Sequence, residues 1–166
     1  MKDISQGVYL PCAQDFKKLL NASPYLQDLW FEFIRPGQCI VHASVIHEVL
    51  EHISSSPPIP VGDVPGFLPN LQSLTIIASE ISPPTWESIS RLFSWPHRKL
   101  LRLYVEVYYE IKMGDDTLHT ILRLVDEGID ICILEGSDYV DYLQKSKENL
   151  RKADPSEGSF RPSVGG

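Results

Sequence analysis

The sequence has no apolar run near the roughly 20 residues that a membrane-spanning helix needs. Its first ten residues, Met1 to Leu10, lack the apolar stretch behind a basic segment that marks a secretory leader. An intracellular protein, cytoplasmic or nuclear, is therefore expected. Cysteine is scarce: Cys12, Cys39 and Cys132 are odd in number and widely spaced, which excludes a disulfide framework and any Cys-x-x-Cys redox or metal spacing. Basic residues are the minority, 15 against 22 acidic, and the net charge is −7. Neither nucleic acid nor an anionic membrane is an expected partner, because attraction to phosphate needs clustered Lys and Arg. The local basic groups are Arg98-Lys99 with Arg102, and Lys145, Lys147, Arg151 and Lys152.

Motifs for chemistry are missing as well. No G-x-x-x-x-G-K-[ST], G-x-G-x-x-G or G-x-S-x-G occurs, so there is no phosphate cradle, dinucleotide turn or nucleophile elbow. His47-Glu48-Val49-Leu50-Glu51-His52 has the composition of a zinc-protease helix but not its spacing. Both imidazoles must share one face at i and i+4, whereas histidines five apart lie about 140° apart around a helix. A solvated helix with a Glu48–His52 pair is expected. Cys132 sits in a strand pattern and reads as a small apolar residue. Asp115-Asp116 reads as a helix cap, not a metal pair. No catalytic residue, metal or cofactor is expected.

What is present is repetition. Pro24-Tyr25-Leu26-Gln27-Asp28-Leu29-Trp30-Phe31 and Pro69-Asn70-Leu71-Gln72-Ser73-Leu74-Thr75-Ile76 share the pattern Pro-x-Leu-Gln-x-Leu-x-apolar. Leu100 to Val105 and Gly128 to Ile133 give two further copies. Leu74 and Leu103 are 29 residues apart and Leu103 and Ile131 are 28 apart, at the length of a leucine-rich repeat. Leu29 and Leu74 are 45 apart, and the Pro-rich stretch 54–68 accounts for the excess as an inserted loop. Helical spacing fills the intervals: Phe16, Leu19 and Leu20; Val45, Ile46, Val49, Leu50 and Ile53; Trp86, Ile89 and Phe93; Leu118, Ile121, Leu122 and Val125. Ser82-Pro83 starts one helix and Gly128 ends another. A last helix is expected to start at Gly136-Ser137-Asp138 and run through Leu150, with Tyr139, Leu143 and Leu150 on its apolar side.

Parallel strands joined by helices can form a doubly wound sheet with both faces covered, or a solenoid with helices on one face. The third strand favours the solenoid. Leu101, Leu103, Val105, Val107 and Ile111 alternate with Arg102, Tyr104, Glu106, Tyr108 and Glu110, as expected for one wet face. The fold class is therefore α/β, a short irregular leucine-rich-repeat-like solenoid of about four parallel strands. It spans 1–152, with a disordered tail at 153–166.

Leu71-x-x-Leu74-x-Ile76-x-x-Ser79-x-Ile81 resembles the leucine-rich-repeat motif, with Ser79 where Asn or Cys is usual. The region from about 12 to 134 resembles the C-terminal repeats of fungal F-box/leucine-rich-repeat proteins, which are substrate receptors of ubiquitin ligases. The resemblance implies a protein-binding role. It departs from the family in having no Asn ladder: Ile34, Ser79, Tyr108 and Gly136 stand there. No N-terminal F-box of Leu-Pro-x-Glu type is found, so direct binding to the ligase adaptor is not implied.

Aligned strands place three rungs on the wet face. Asp28, Ser73, Arg102 and Asp130 form the first; Trp30, Thr75, Tyr104 and Cys132 the second; Glu32, Ile77, Glu106 and Leu134 the third. Solenoids use this face for recognition, and Trp, Tyr and Arg are enriched at binding hot spots. The candidate partner-binding residues are Asp28, Trp30, Glu32, Ser73, Thr75, Arg102, Tyr104, Glu106 and Asp130. Their acidic excess calls for a partner protein with a basic surface. Cross-strand packing is an equal reading of the same positions. The rival functions are a small doubly wound enzyme and a truncated fragment with no role of its own.

Overall fold

Leu29 and Phe31, Leu74 and Ile76, Leu103 and Val105, and Ile131 and Ile133 are the inward residues of four strands whose alternate positions point the other way. The computed structural model of the chain describes residues 13–33, 39–57 and 66–153. Its elements are α1 (Ala13–Asn21), β1 (Asp28–Phe33), α2 (Cys39–Ser55), β2 (Ser73–Ala78), α3 (Pro83–Arg91), β3 (Arg102–Val107), α4 (Asp115–Asp126), β4 (Ile131–Glu135), β5 (Val140–Asp141) and α5 (Tyr142–Ala153). Two short 3-10 turns, Leu92–Ser94 and Pro96–Leu100, join α3 to β3. The chain is thus a mixed α/β protein with a five-stranded, mostly parallel sheet and five helices among the described residues.

The sheet order is β1-β2-β3-β4-β5, so neighbours in space are neighbours in the chain. The first four strands are parallel, and the short β5 turns back antiparallel to β4. A doubly wound sheet reverses its strand order at a switch point; no reversal occurs among the described strands. Trp86, Ile89, Leu92, Ile121, Leu122, Leu124 and the α2 residues Ile46, Val49, Leu50 and Ile53 join the inward strand residues in one core. Each such side chain removed from water contributes about 1.5–3 kcal/mol before entropy is counted. No described helix is long and apolar enough to cross a membrane.

Helix ends follow local chemistry, with some departures from expectation. Gly128 has φ +88°, and its amide donates to Val125 O at 2.9 Å while Ile129 N donates to Leu124 O at 3.1 Å. That pair of bonds is a Schellman motif, closed by the buried Leu124 and Ile129. Ser82 is the N-cap of α3, but its hydroxyl pairs with Thr85 Oγ1 at 2.8 Å instead of a backbone amide. The N-cap of α4 is Gly114; Asp115 and Asp116 lie inside the first turn, where they complement the helix dipole. The last helix starts later than Gly136-Ser137-Asp138. Gly136 (φ +74°) and Tyr139 (φ +52°) belong to the turn into β5, and α5 is capped by Asp141 Oδ1, which accepts from Gln144 N at 2.9 Å. Leu143 is buried, whereas Tyr139 and Leu150 are exposed.

The loop assigned to 54–68 is not uniformly a surface insertion. Ser54 and Ser55 end α2, residues 58–65 lie outside the described residues, and Phe67 and Leu68 are core. Arg98 explains the last point. It is only 1% exposed and donates to Leu68 O at 3.0 Å and Phe67 O at 2.6 Å. It is therefore an internal tie, not part of a basic surface patch with Lys99 and Arg102. The tail beyond Ala153 lies outside the described residues.

Candidate functional site

Parallel pairing runs without a bulge from β1 to β4 and puts the sheet's outward residues in rows. Asp28, Ser73 and Arg102 are register partners, and Asp130, one residue before β4, accepts the Leu103 amide at 2.9 Å beside them. Trp30, Thr75, Tyr104 and Cys132 make the second row, and Glu32, Ile77, Glu106 and Leu134 the third. All nine candidate residues read from the sequence thus come together on one side of one sheet.

They are not equally accessible. Trp30 is 64% exposed, an unusual state for the largest apolar side chain. Asp28, Glu32, Arg102 and Asp130 are exposed, while Ser73, Thr75 and Tyr104 are half-buried. Glu106 is only 6% exposed. The Tyr104 hydroxyl donates to Glu106 Oε2 at 3.1 Å. Burial, together with that hydrogen bond and the carboxylate's charge, pushes Tyr104 up to about 12. The neighbouring Tyr108 is also raised, first through its hydrogen bonding to Glu106. Both phenols therefore keep their protons at neutral pH. No ion pair joins Glu106 or Arg102 to an opposite charge among the described residues.

No protein-family model, curated protein or solved structure matches this chain. Its chemistry is therefore read from the face itself.

Three residues that sequence reasoning left out of the site belong to it. Asp141, on β5, is the register partner of Leu134 and so adds a carboxylate beyond Cys132 and Asp130. Tyr139, at 54% exposure, lies near enough to both Tyr104 and Tyr108 for electrostatic coupling, and Tyr108 lies near Glu106 and Glu32. The signal for Tyr108 was its place in the third strand's alternation. Tyr139 had none, because its position depends on the turn after β4.

The other candidates fall into structural roles. Burial and then the adjacent Asp141 and Asp130 push the Cys132 thiol up, away from the thiolate that a nucleophile needs. Glu48 pairs with Lys17 of α1 at 3.7 Å. His52 is instead edge-on to Phe67, with ring centroids 4.5 Å apart, and burial followed by the charge of Lys17 lowers its pKa. Among the described residues no group of three or more His, Cys, Asp or Glu is placed to hold a metal ion.

Proposed function

We propose that this chain is a protein-binding module that docks its partner on the outward face of the parallel sheet. The observation that carries the reading is the unbroken register of β1 to β4, which lines up Trp30, Thr75 and Tyr104 across three strands while the opposite face is committed to the core. An exposed tryptophan in the same row as a tyrosine, on a face rich in carboxylates, has the composition of a binding patch. Strands in chain order with their helices in one core are consistent with a short leucine-rich-repeat-like solenoid, whose outward strand face is its usual recognition surface. On this reading the module works inside the cell in the manner of the substrate-binding repeats of an F-box ubiquitin-ligase receptor. Asp28, Glu32, Glu106 and Asp130 against Arg102 favour a partner with a basic surface.

The test is affinity capture from a native lysate with this chain and with a Trp30→Ala/Arg102→Ala/Tyr104→Ala variant that retains its circular dichroism and melting transition. The expected result is a protein retained by the parent and lost by the variant. Equal retention by both would move the binding surface off the sheet and overturn the reading.

A further inference from the structure

Glu106 is the least expected residue on the outward face. A carboxylate withdrawn from water is unfavourable unless hydrogen bonds or an opposite charge compensate it. At 6% exposure it accepts from the Tyr104 hydroxyl and raises the nearby Tyr108, but it meets no cation among the described residues. The two oxygens of a carboxylate offer about four acceptor positions, so the Tyr104 donor leaves capacity for others. Ile77 is its neighbour in the row, Glu32 stands one strand further out, the exposed Trp30 lies on the same outer strand as Glu32, and the exposed Tyr139 is close enough to couple to Tyr104 and Tyr108. Asp130 and Asp141 extend the negative field beside Cys132. Aromatic faces attract ammonium and guanidinium groups, and a charge-assisted hydrogen bond to a carboxylate is about twice as strong as a neutral one.

We infer that Tyr104, Glu106 and Tyr108 form a seat for one lysine or arginine side chain of an extended basic segment in the protein partner. Charge complementarity selects this occupant. Among the described residues the outward strand positions carry Asp28, Glu32, Glu106, Asp130 and Asp141 against one cation, Arg102, and the central carboxylate is held by the Tyr104 hydroxyl. The inference rests on the docking reading above and names what that surface recognises.

The probe is an alternating Lys-Ser peptide titrated into the isotopically labelled full chain, with the Glu106 carboxyl carbon and the Tyr104 and Tyr108 ring signals followed by NMR. The expected result is saturable shifts at those three residues. A peptide with norleucine in place of lysine should produce none. Glu106→Gln should weaken Lys-Ser binding by about tenfold or more, while Asp116→Asn, on the exposed start of α4, should leave it unchanged. Glu106→Gln should also melt no lower than the parent, because the amide oxygen of the same length can still accept from Tyr104. Equal binding by the norleucine peptide, equal weakening by Asp116→Asn, or lower stability in Glu106→Gln with unchanged affinity would overturn the seat. So would a self-associated dimer that Glu106→Gln dissolves, since a second copy would then be the occupant. If the triple variant loses its captured partner while Glu106→Gln keeps it and binds the peptide normally, the seat fails and the docking surface stands.

Discussion

The Arg98 guanidinium donates through Nη2 to the Phe67 carbonyl at 2.6 Å, across 31 residues of chain. With its second bond to Leu68 O, it holds the segment leading into β2 against the 3-10 turn leading into β3. Leu68 has φ +47°, a left-handed conformation that a leucine adopts only when its surroundings enforce it. Arg98→Ala should therefore lower stability by roughly 3–5 kcal/mol, from two lost charge-assisted bonds and a stranded Phe67 carbonyl, while Leu68 O keeps the Leu71 amide. Arg98→Lys should recover little of it, because an ammonium lacks the planar fork. Urea unfolding checks both variants, and a loss under about 1 kcal/mol for Arg98→Ala would show that the tie is dispensable.

Two adjacent residues on β3 should respond oppositely to substitution. Leu103 is core, and Leu103→Asp should abolish the cooperative unfolding transition by placing an unpaired charge there. Tyr104→Ala, on the outward face, should stay folded and lose no more than about 1.5 kcal/mol. Comparable losses from both would contradict the division of the sheet into a core face and an outward face.

Alkaline titration isolates the Tyr104–Glu106 contact. Tyr104 is raised from 10.0 to about 12, so the folded state holds its proton more tightly than the unfolded chain does. That contribution is fully present below pH 10 and is lost as pH rises toward 12. The parent's stability should fall more steeply across this window than that of Tyr104→Phe. Arg98, drawn down to about 10 by burial, acts in the opposite sense but cancels between the two proteins. Parallel slopes would mean that the hydroxyl is not held as described.

Gly128 tests a backbone effect free of packing. A Cβ there would meet nothing within 4 Å, but φ is +88°. Gly128→Ala should lower stability by about 1–2 kcal/mol through strain alone. Gly114→Ala, which has the same open space and no positive φ, should be near neutral. Thermal melts of the pair decide it: equal effects would remove the Schellman turn as the cause.

The rows of the sheet were legible in the sequence because two periods coincide there. Alternation assigns each strand residue to a face, and the near-constant spacing of Leu74, Leu103 and Ile131 aligns neighbouring strands before any pairing is known. Features made by single contacts were not legible. Arg98-Lys99 looks like a surface pair, and only the approach of Phe67 and Leu68 turns one of the two inward. β5 is two residues long, too short to carry a period. Glu106 belongs to a polar face by alternation, and its burial comes from the side chains grouped around it, which no periodicity encodes.

Strand order has a mechanical consequence. Since β1 to β5 lie side by side in chain order, tension applied between Ala13 and Ala153 runs across the width of the sheet, not along its strands. Hydrogen bonds loaded that way open one at a time instead of sharing the force as a row. The domain should peel from an edge in steps, each paying out one strand with its helix, roughly 100 Å of chain. In a single-molecule pulling trace it would behave as a soft, stepwise spring.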